Sequence, residues 1–218
     1  SILFITPNIP ADNLSIRVIV EDGVGYTDTS IVSGISIDVE YPSINSYSGM
    51  ESNSYLVPGT NTLQLEFSVA MNPVYISQID LFSTTSGEVS YTIEEESDIV
   101  YNLNLDQGLS CLDTLTISIP GTLESSYGYE FDGNQDGIPG DSQLITIYTG
   151  MLGDYDFNNV IDFDDLTNFT LSWLTDFFQN ELGPFTGNVP YLTPTFDGIF
   201  DIEDMSGLML MWNWTNDY

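Results

Sequence analysis

The segment from residue 154 to residue 165 constrains the fold of this chain more than any other, because oxygen-bearing side chains recur in it at fixed intervals. They stand at positions 1, 3, 5, 9 and 12 of the twelve: Asp154, Asp156, Asn158, Asp162 and Asp165. Alternate side chains of a tight turn converge on one point, so this spacing predicts a Ca²⁺ loop in which the backbone carbonyl at position 7, Val160, is a further ligand. Position 6 is Asn159, and asparagine ranks next to glycine in tolerating the left-handed backbone required there. The alternative interpretation is a solvated acidic turn without metal.

The residues that flank this loop resemble the loop–helix repeat of dockerins. A glycine, Gly153, precedes the loop, and its twelfth residue is Asp rather than the Glu of ordinary EF-hands. Apolar residues then follow at helical spacing: Leu166, Phe169, Trp173 and Leu174. Dockerins carry two such repeats, so the resemblance implies a second calcium loop further along the chain.

A reduced copy of the repeat occupies residues 191–204. With Asp204 aligned at position 12, position 1 is Thr193 and position 6 is Gly198. The resemblance then implies further ligands at positions 3, 5, 7 and 9: Thr195, Asp197, the carbonyl of Ile199, and Asp201. A short helix is predicted after this loop from the spacing of Met205, Leu208, Met209 and Trp212. The alternative is a structural turn that binds no metal.

A third acidic turn precedes residue 143. Asp132, Asn134 and Asp136 are spaced as loop positions 1, 3 and 5, with Asp141 and the carbonyl of Ile138 as later ligands, although position 12 is Gln143. The alternative is a hairpin turn, for which Asp, Asn and Gly are common in any case. The sequence therefore predicts two or three Ca²⁺ sites.

The first 150 residues are predicted to form β-strands. Apolar and polar residues alternate from Leu63 to Val69, which is the pattern of a half-buried strand. Similar runs, separated by turn residues, occur at residues 14–20, 35–39, 75–82, 89–93, 112–119 and 144–148. Short strands at this spacing, without a long helical pattern, predict a β-sandwich.

Residues 43–150 resemble the bacterial Ig-like domains of surface proteins, through the turn at Pro58 and Gly59, the strand LQLEFSVAMNP and the closing segment YEFDGNQDGIPGDSQLITIYTG. Residues 1–42 hold only two further strands after an apolar start, SILFITPNIP, so their missing partners are expected to be cut away or supplied by a neighbouring subunit. We therefore predict a mainly β protein. Its three parts are a two-strand half-domain (1–42), an Ig-like β-sandwich (43–150) and a small helical dockerin-like calcium module (151–218).

The charge balance restricts the partners. The chain has 33 acidic residues, one basic residue (Arg17) and no histidine, which gives a net charge of −32 at pH 7. Such a chain repels nucleic acid and anionic membrane surfaces, and no apolar stretch reaches the length of a membrane span, so neither nucleic-acid binding nor membrane insertion is expected. Bound Ca²⁺ or high ambient salt would reduce the self-repulsion.

The cellular location follows from the cysteine count and the calcium loops. A single cysteine, Cys111, excludes an intrachain disulfide and is expected to be a buried, inert thiol. Weak calcium loops need the free calcium found outside cells, so we expect a secreted protein that is extracellular or at the cell surface. The start without Met or a basic segment is expected for a chain whose signal peptide has been removed.

Catalysis is not expected. The absence of His and Lys removes most general bases, and the lone cysteine has no histidine to activate it. Carboxylate pairs could serve a glycosidase, but the clustered acids are better explained as calcium ligands.

Three functions from different classes therefore stay open. The first is a calcium-stabilised subunit of a filament, sheath or surface layer that pairs head to tail with copies of itself by strand addition. The second is the C-terminal attachment module of a larger secreted enzyme or adhesin, which docks onto a cohesin-like partner. The third is a carbohydrate-binding module that contacts glycans through Tyr and Trp.

Overall fold

The computed structural model divides into two compact units, Ser1–Tyr41 and Pro42–Tyr218. The residues that it describes are 11–37, 40–51, 55–175 and 180–216. Two of the expectations above fall outside the described residues: the apolar start at residues 1–10 and the end of the second predicted strand at residues 38–39.

The described part of the first unit is an antiparallel hairpin of β1 (Ala11–Glu21) and β2 (Thr27–Ile37). Asp22 closes its turn, because its carboxylate accepts hydrogen bonds from the backbone N–H groups of Val24 and Tyr26. Large apolar side chains on both strands are more than half exposed: Ile19, Val20, Ile31 and Val32. A two-stranded hairpin with such a surface is marginally stable on its own in water.

Two sheets dominate the second unit. In chain order their strands are β3 (Ile44–Tyr47), β4 (Tyr55–Leu56), β5 (Thr62–Phe67), β6 (Asp80–Ser83), β7 (Gly87–Glu88), β8 (Tyr91–Glu95), β9 (Val100–Leu105), β10 (Thr114–Ile119) and β11 (Gln143–Thr149). One sheet has the order β3-β5-β9-β8 and the other β4-β11-β10-β6-β7. Most pairs are antiparallel, whereas β4 runs parallel to β11. The mainly β fold predicted from the sequence is confirmed.

Alternate residues of the two sheets share one hydrophobic core. Leu63, Leu65 and Phe67 of β5 are fully buried, as the alternation predicts, and so are three residues of β10: Leu115, Ile117 and Ile119. Because successive side chains of a strand point to opposite faces, these two sets meet between the sheets and form a sandwich.

Two predicted strands are wrong in detail. Residues 75–82 begin in a short helix, α1 (Pro73–Ile76), before β6, because Asn72 caps that helix by accepting the Val74 N–H and Pro73 has its φ preset for a first helical turn. Residues 89–93 do not form one strand either. The chain crosses there from β7 in one sheet to β8 in the other.

The last third of the unit consists mainly of two helices, with two short strands between them. It contains α2 (Phe163–Thr175), β12 (Phe185–Thr186), β13 (Thr193–Pro194) and α3 (Ile202–Asn216). Their apolar side chains form a second core, and Cys111 from the sandwich is buried within it, as predicted for an inert thiol. Within the described residues, no helix has the length and apolar character that a membrane crossing requires.

Candidate metal centres

The loop predicted at residues 154–165 brings three carboxylates together. One oxygen each of Asp154, Asp156 and Asp165 lies within 4.8 Å of the others. Asp154 and Asp165 are buried, whereas Asp156 is exposed. Converging oxygens with one open side are the arrangement that a hard cation with several oxygen ligands requires.

The backbone of this loop is wrapped around the Asp154 carboxylate. Its two oxygens accept hydrogen bonds from the N–H groups of Asn158 (3.1 Å) and Asn159 (2.8 Å). The side-chain oxygen of Asn158 accepts in turn from the N–H of Val160, at 2.8 Å. Asn159 has a φ of 67°, so the left-handed conformation predicted at position 6 is present.

Asp165 closes the far end of the loop. Its carboxylate accepts hydrogen bonds from the N–H groups of Tyr155 (2.7 Å) and Asp162 (2.9 Å). Asp162, predicted as the ligand at position 9, is not one of the three converging carboxylates. Its Oδ1 accepts the N–H of Asp164 and thereby caps α2.

A loop of the same construction lies in the sandwich, directly before β11. One carboxylate oxygen each of Asp132, Asp136 and Asp141 lies within 4.8 Å of the others. Asp132 is buried and accepts the N–H groups of Asp136 (3.3 Å) and Gly137 (2.9 Å), which are positions 5 and 6. The structure thus gathers the acidic side chains predicted for this turn.

The two loops also share an unusual backbone conformation. In the first, positions 4 and 6 are Phe157 (φ 59°) and Asn159 (φ 67°). In the sandwich loop, the same positions are Gln135 (φ 58°) and Gly137 (φ 85°). Two different sequences therefore make the same turn, and what they have in common is the spacing of the oxygen-bearing side chains.

The remaining predicted residues of the sandwich loop line the same turn. Asn134 accepts the Asp136 N–H (2.9 Å) and donates its amide to Asp141 (3.0 Å), while the N–H of Ile138 donates to Asp136 Oδ1 (2.8 Å). Gln143 at position 12 starts β11, and its side-chain oxygen is buried with no hydrogen-bond partner among the described residues. A bound cation or an ordered water is what satisfies such an acceptor.

The acidic charge of these loops has no basic counterpart in their own unit. The chain's one basic residue, Arg17, belongs to the first unit. Burial raises the pKa of Asp154 and the nearby Asp165 carboxylate raises it further, although the N–H groups of Asn158 and Asn159 act in the opposite direction. The donor set consists of oxygen atoms alone, which suits Ca²⁺ rather than a metal that prefers nitrogen or sulfur. The residues present therefore fit a calcium ion.

The second predicted loop, at residues 191–204, is built differently from its prediction. Thr193, assigned to position 1, lies in β13, and its hydroxyl is 2.7 Å from the hydroxyl of Ser110. The carboxylate that receives the loop's N–H groups is that of Glu181, which is only 4% exposed. Glu181 accepts hydrogen bonds from Asp197 and Gly198, positions 5 and 6. It makes the contacts that Asp154 makes in the first loop.

Asp204 confirms this equivalence from the other end of the loop. One of its oxygens accepts the N–H of Asp201 (2.6 Å) and the other accepts those of Leu182 (2.7 Å) and Gly183 (3.1 Å). The twelfth residue of the first loop bonds in the same way to positions 9 and 2. Glu181 and Leu182 therefore occupy structural positions 1 and 2.

An insertion splits the second loop. Residues 183–194, which include β12 and β13, separate position 2 from Thr195 at position 3. The Thr195 N–H donates to the carbonyl of Pro184 (2.7 Å) at the base of the insertion. Sequence analysis missed Glu181 because a window of twelve consecutive residues cannot contain it. The only signal is an acid followed by an apolar residue, which is not specific.

The second loop is also the less complete cluster. Among the described residues it does not gather three carboxylate oxygens within 4.8 Å. Burial raises the pKa of Glu181, and the carboxylates of Asp197 and Asp204 raise it further, against the lowering effect of the Asp197 and Gly198 N–H groups. The ligand roles of Thr195, Asp197, Ile199, Asp201 and Asp204 stay predictions.

Comparisons with known proteins give no family. No protein-family model matches the sequence, and no curated protein matches it. Half of the chain is similar to a solved N-terminal part of the bacterial S-layer protein SbsC, at 15% identity and a TM-score of 0.35, and to domains 1–6 of SbsC, at 15% and 0.36. These matches span 24% and 14% of the SbsC chains. CopC from Methylosinus trichosporium OB3b matches the same share of this chain at 13% identity and a TM-score of 0.32, over 95% of its own length.

Proposed function

We propose that this protein is a non-enzymatic, calcium-stabilised structural subunit of an extracellular assembly, such as a filament, a sheath or a surface layer. The observation that carries the proposal is the pair of loops at Asp132 and Asp154. Three carboxylates converge in each loop, and those of Asp132, Asp154 and Asp165 are buried, within a unit that has no basic residue to neutralise them. A divalent cation supplies the missing charge, and its binding energy contributes directly to folding.

In this proposal, calcium is held by side-chain and carbonyl oxygens of each loop. The first site uses Asp154, Asp156, Asn158, the Val160 carbonyl, Asp162 and Asp165. The sandwich site uses Asp132, Asn134, Asp136, the Ile138 carbonyl and Asp141. A third, weaker site uses Glu181 with Asp197, Asp201 and Asp204, because its carboxylates converge less closely.

Calcium at the first loop joins two parts of the second unit. Met151, Leu152 and Ile161 flank or belong to this loop and are buried in the same core as Cys111, which comes from the sandwich. The backbone also connects the parts, since Gly150 N–H donates to Leu56 O (2.9 Å). A cation that fixes the loop therefore also stabilises the packing of α2 and α3 against the sandwich.

The hairpin of the first unit favours assembly over a solitary domain. Its two strands expose large apolar side chains and have no third strand within the described residues of their unit. Addition of this hairpin to a sheet of a neighbouring copy would bury those side chains, and repetition of the contact builds a fibre.

A second candidate function is attachment to a cohesin-like partner. The observation in its favour is the repeated loop–helix construction, in which Asp165 and Asp204 make matching hydrogen bonds. The inserted hairpin makes the two repeats unequal, however, and this weakens a docking mode that depends on two similar helix faces.

Sedimentation of the full chain, with and without calcium, tests the proposed function. We expect assemblies that grow with protein concentration in millimolar calcium and that dissociate when EDTA is added. A chain that stays monomeric at high concentration in calcium contradicts the structural-subunit proposal. Calorimetric titration in the same buffer separates calcium binding from assembly.

A further inference from the structure

An apolar groove runs along the second unit, from the sandwich to the first calcium loop. It consists of two adjoining cavities of about 470 Å³ and about 290 Å³, both lined by Val57, Asp154 and Phe157. Tyr55 lines the first cavity and Phe196 the second. We call these two cavities together the apolar groove.

The rim of the apolar groove exposes side chains that soluble proteins usually bury. Val57 is 54% exposed and Phe157 is 58% exposed, and Tyr55 and Phe196 are also exposed. The ring of Tyr55 lies 5.8 Å from that of Tyr148, which extends the aromatic surface onto β11. Exposed apolar and aromatic side chains gathered around a concave surface favour an interaction site there.

Among the described residues that line the groove, two are acidic, and their carboxylates are directed into their own loops. Asp154 and Glu181 line the cavities, but both are buried and their carboxylates accept backbone N–H groups of their own loops. The other described residues that line the two cavities carry no charge. The groove therefore suits an apolar, uncharged occupant.

Calcium and the groove are connected through Phe157. This residue is position 4 of the first loop, between Asp156 and Asn158, and its left-handed φ of 59° belongs to the turn that gathers the ligands. A cation that rigidifies the loop also fixes the Phe157 ring that lines both cavities. Occupation of the groove is expected to depend on calcium.

The start of the chain has the matching composition. Residues 1–11 contain no charged side chain and five large apolar ones: Ile2, Leu3, Phe4, Ile5 and Ile9. Copies that each carry 33 acidic residues repel one another, so contact between copies is favoured at uncharged surfaces. Extended segments of this type place alternate side chains into pockets of a neighbouring domain.

From this match, we infer that the apolar groove of one copy binds residues 1–10 of a second copy. The inference rests on the proposed self-assembly and identifies the surface that accepts the donated segment. Because donor and acceptor lie at different places on the chain, each copy donates once and accepts once, and the copies associate head to tail rather than as a two-fold dimer.

Two full-length variants separate donor from acceptor. Val57→Asp places a charge in the groove, and the double variant Leu3→Asp/Phe4→Asp places charges in the segment. Neighbouring side chains of an extended strand point to opposite faces, so one of the two new charges enters the groove whichever face docks. Val74→Asp is the matched control, because Val74 is exposed on α1 outside the groove.

Sedimentation velocity in millimolar calcium measures the result. Each of the two variants alone should weaken self-association by about tenfold or more, while Val74→Asp should assemble like the wild type. An equimolar mixture of the two variants should form dimers that do not grow, since it offers only one intact segment and one intact groove per pair.

The outcomes distinguish this inference from the proposed function. Wild-type assemblies that persist unchanged in both variants overturn the groove contact and leave the structural-subunit proposal standing. A mixture that stays monomeric also overturns it, because it means that the segment is not exchanged between copies. A wild type that never associates overturns both proposals together.

Discussion

The loops that end at Asp165 and Asp204 make the same hydrogen bonds from different stretches of chain. In the first, the carboxylate at position 1 is the first residue of a continuous twelve-residue segment. In the second, it is Glu181, which lies beyond a twelve-residue insertion. In both loops, a buried carboxylate accepts two backbone N–H groups. The two loops differ in the distance along the chain between that carboxylate and its donors.

In the loop that contains the insertion, the carboxylates lie further apart than in the first loop. The first loop holds three carboxylate oxygens within 4.8 Å of one another, and the described residues of the second loop do not. Glutamate also has one more methylene than aspartate, so its oxygens reach the loop from a more distant backbone. We therefore expect the first loop to depend on calcium and the second to depend mainly on its own hydrogen bonds.

Removal of calcium is expected to produce the largest difference between the two loops. A site occupied at about 100 times its dissociation constant contributes about 2.7 kcal/mol, which is roughly 5–10 °C in Tm for a chain of this size. EDTA should lower the Tm by that amount per occupied site. An unchanged melting curve means that neither loop needs metal.

Cys111 offers a local readout of the same experiment. Burial raises the pKa of its thiol to about 11, and its sulfur lies 2.8 Å from the Pro190 carbonyl oxygen and 3.1 Å from that of Leu192. Thiol reagents attack the thiolate, so labelling should be slow in calcium and several-fold faster after chelation, when the helices loosen from the sandwich. Equal labelling rates would contradict the link between the loop and this core.

Among single substitutions, the largest effect is expected from the closing aspartate. Asp165→Ala removes a predicted ligand and leaves two N–H groups unsatisfied, so it should cost about 3–5 kcal/mol in calcium. Asp201→Ala should cost only about 1 kcal/mol, because Asp201 caps α3 through the Glu203 N–H and its loop is expected to bind metal more weakly. Chemical unfolding gives the two energies, and calorimetric titration gives the two losses of affinity. Equal losses of calcium affinity would show that the loops are equivalent.

Sequence patterns predicted the elements that depend on local spacing and missed those that depend on distant partners. The alternation in β5 and the acids at 154–165 each determine their own conformation, so both were found. Glu181 was missed because its partners, Asp197 and Gly198, lie far along the chain. The strand predicted at 75–82 was wrong in its first part, because the Asn72 cap and Pro73 outweigh the apolar run that follows, and right at its end, in β6.

The role of Glu181 is tested by a variant that keeps its shape. Glu181→Gln retains one oxygen but loses the charge, and its NH2 group replaces the second oxygen that shares the Gly198 N–H, so it should cost about 1–3 kcal/mol. Hydrogen exchange should show faster exchange at the Asp197 and Gly198 amides. Thr193→Ala is the control, since Thr193 occupied position 1 only in the contiguous alignment. If the control, rather than Glu181→Gln, exposes these amides, the split-loop description is wrong.

The smallest expected effect concerns position 6, where the first loop has Asn159 and the second has Gly198. Both have a positive φ, of 67° and 79°. Alanine pays roughly 1–2 kcal/mol in this conformation and asparagine less, so Asn159→Ala should destabilise the calcium-loaded protein by about 1 kcal/mol. Asn159→Gly should be neutral or slightly stabilising, because the Asn159 contact with Asp154 is made by its backbone N–H, which every variant keeps. Chemical unfolding in calcium ranks the free energies of unfolding of the wild type, Asn159→Ala and Asn159→Gly. A glycine variant less stable than the alanine variant would show that the Asn159 side chain, and not its backbone conformation, is what the first loop requires at this position.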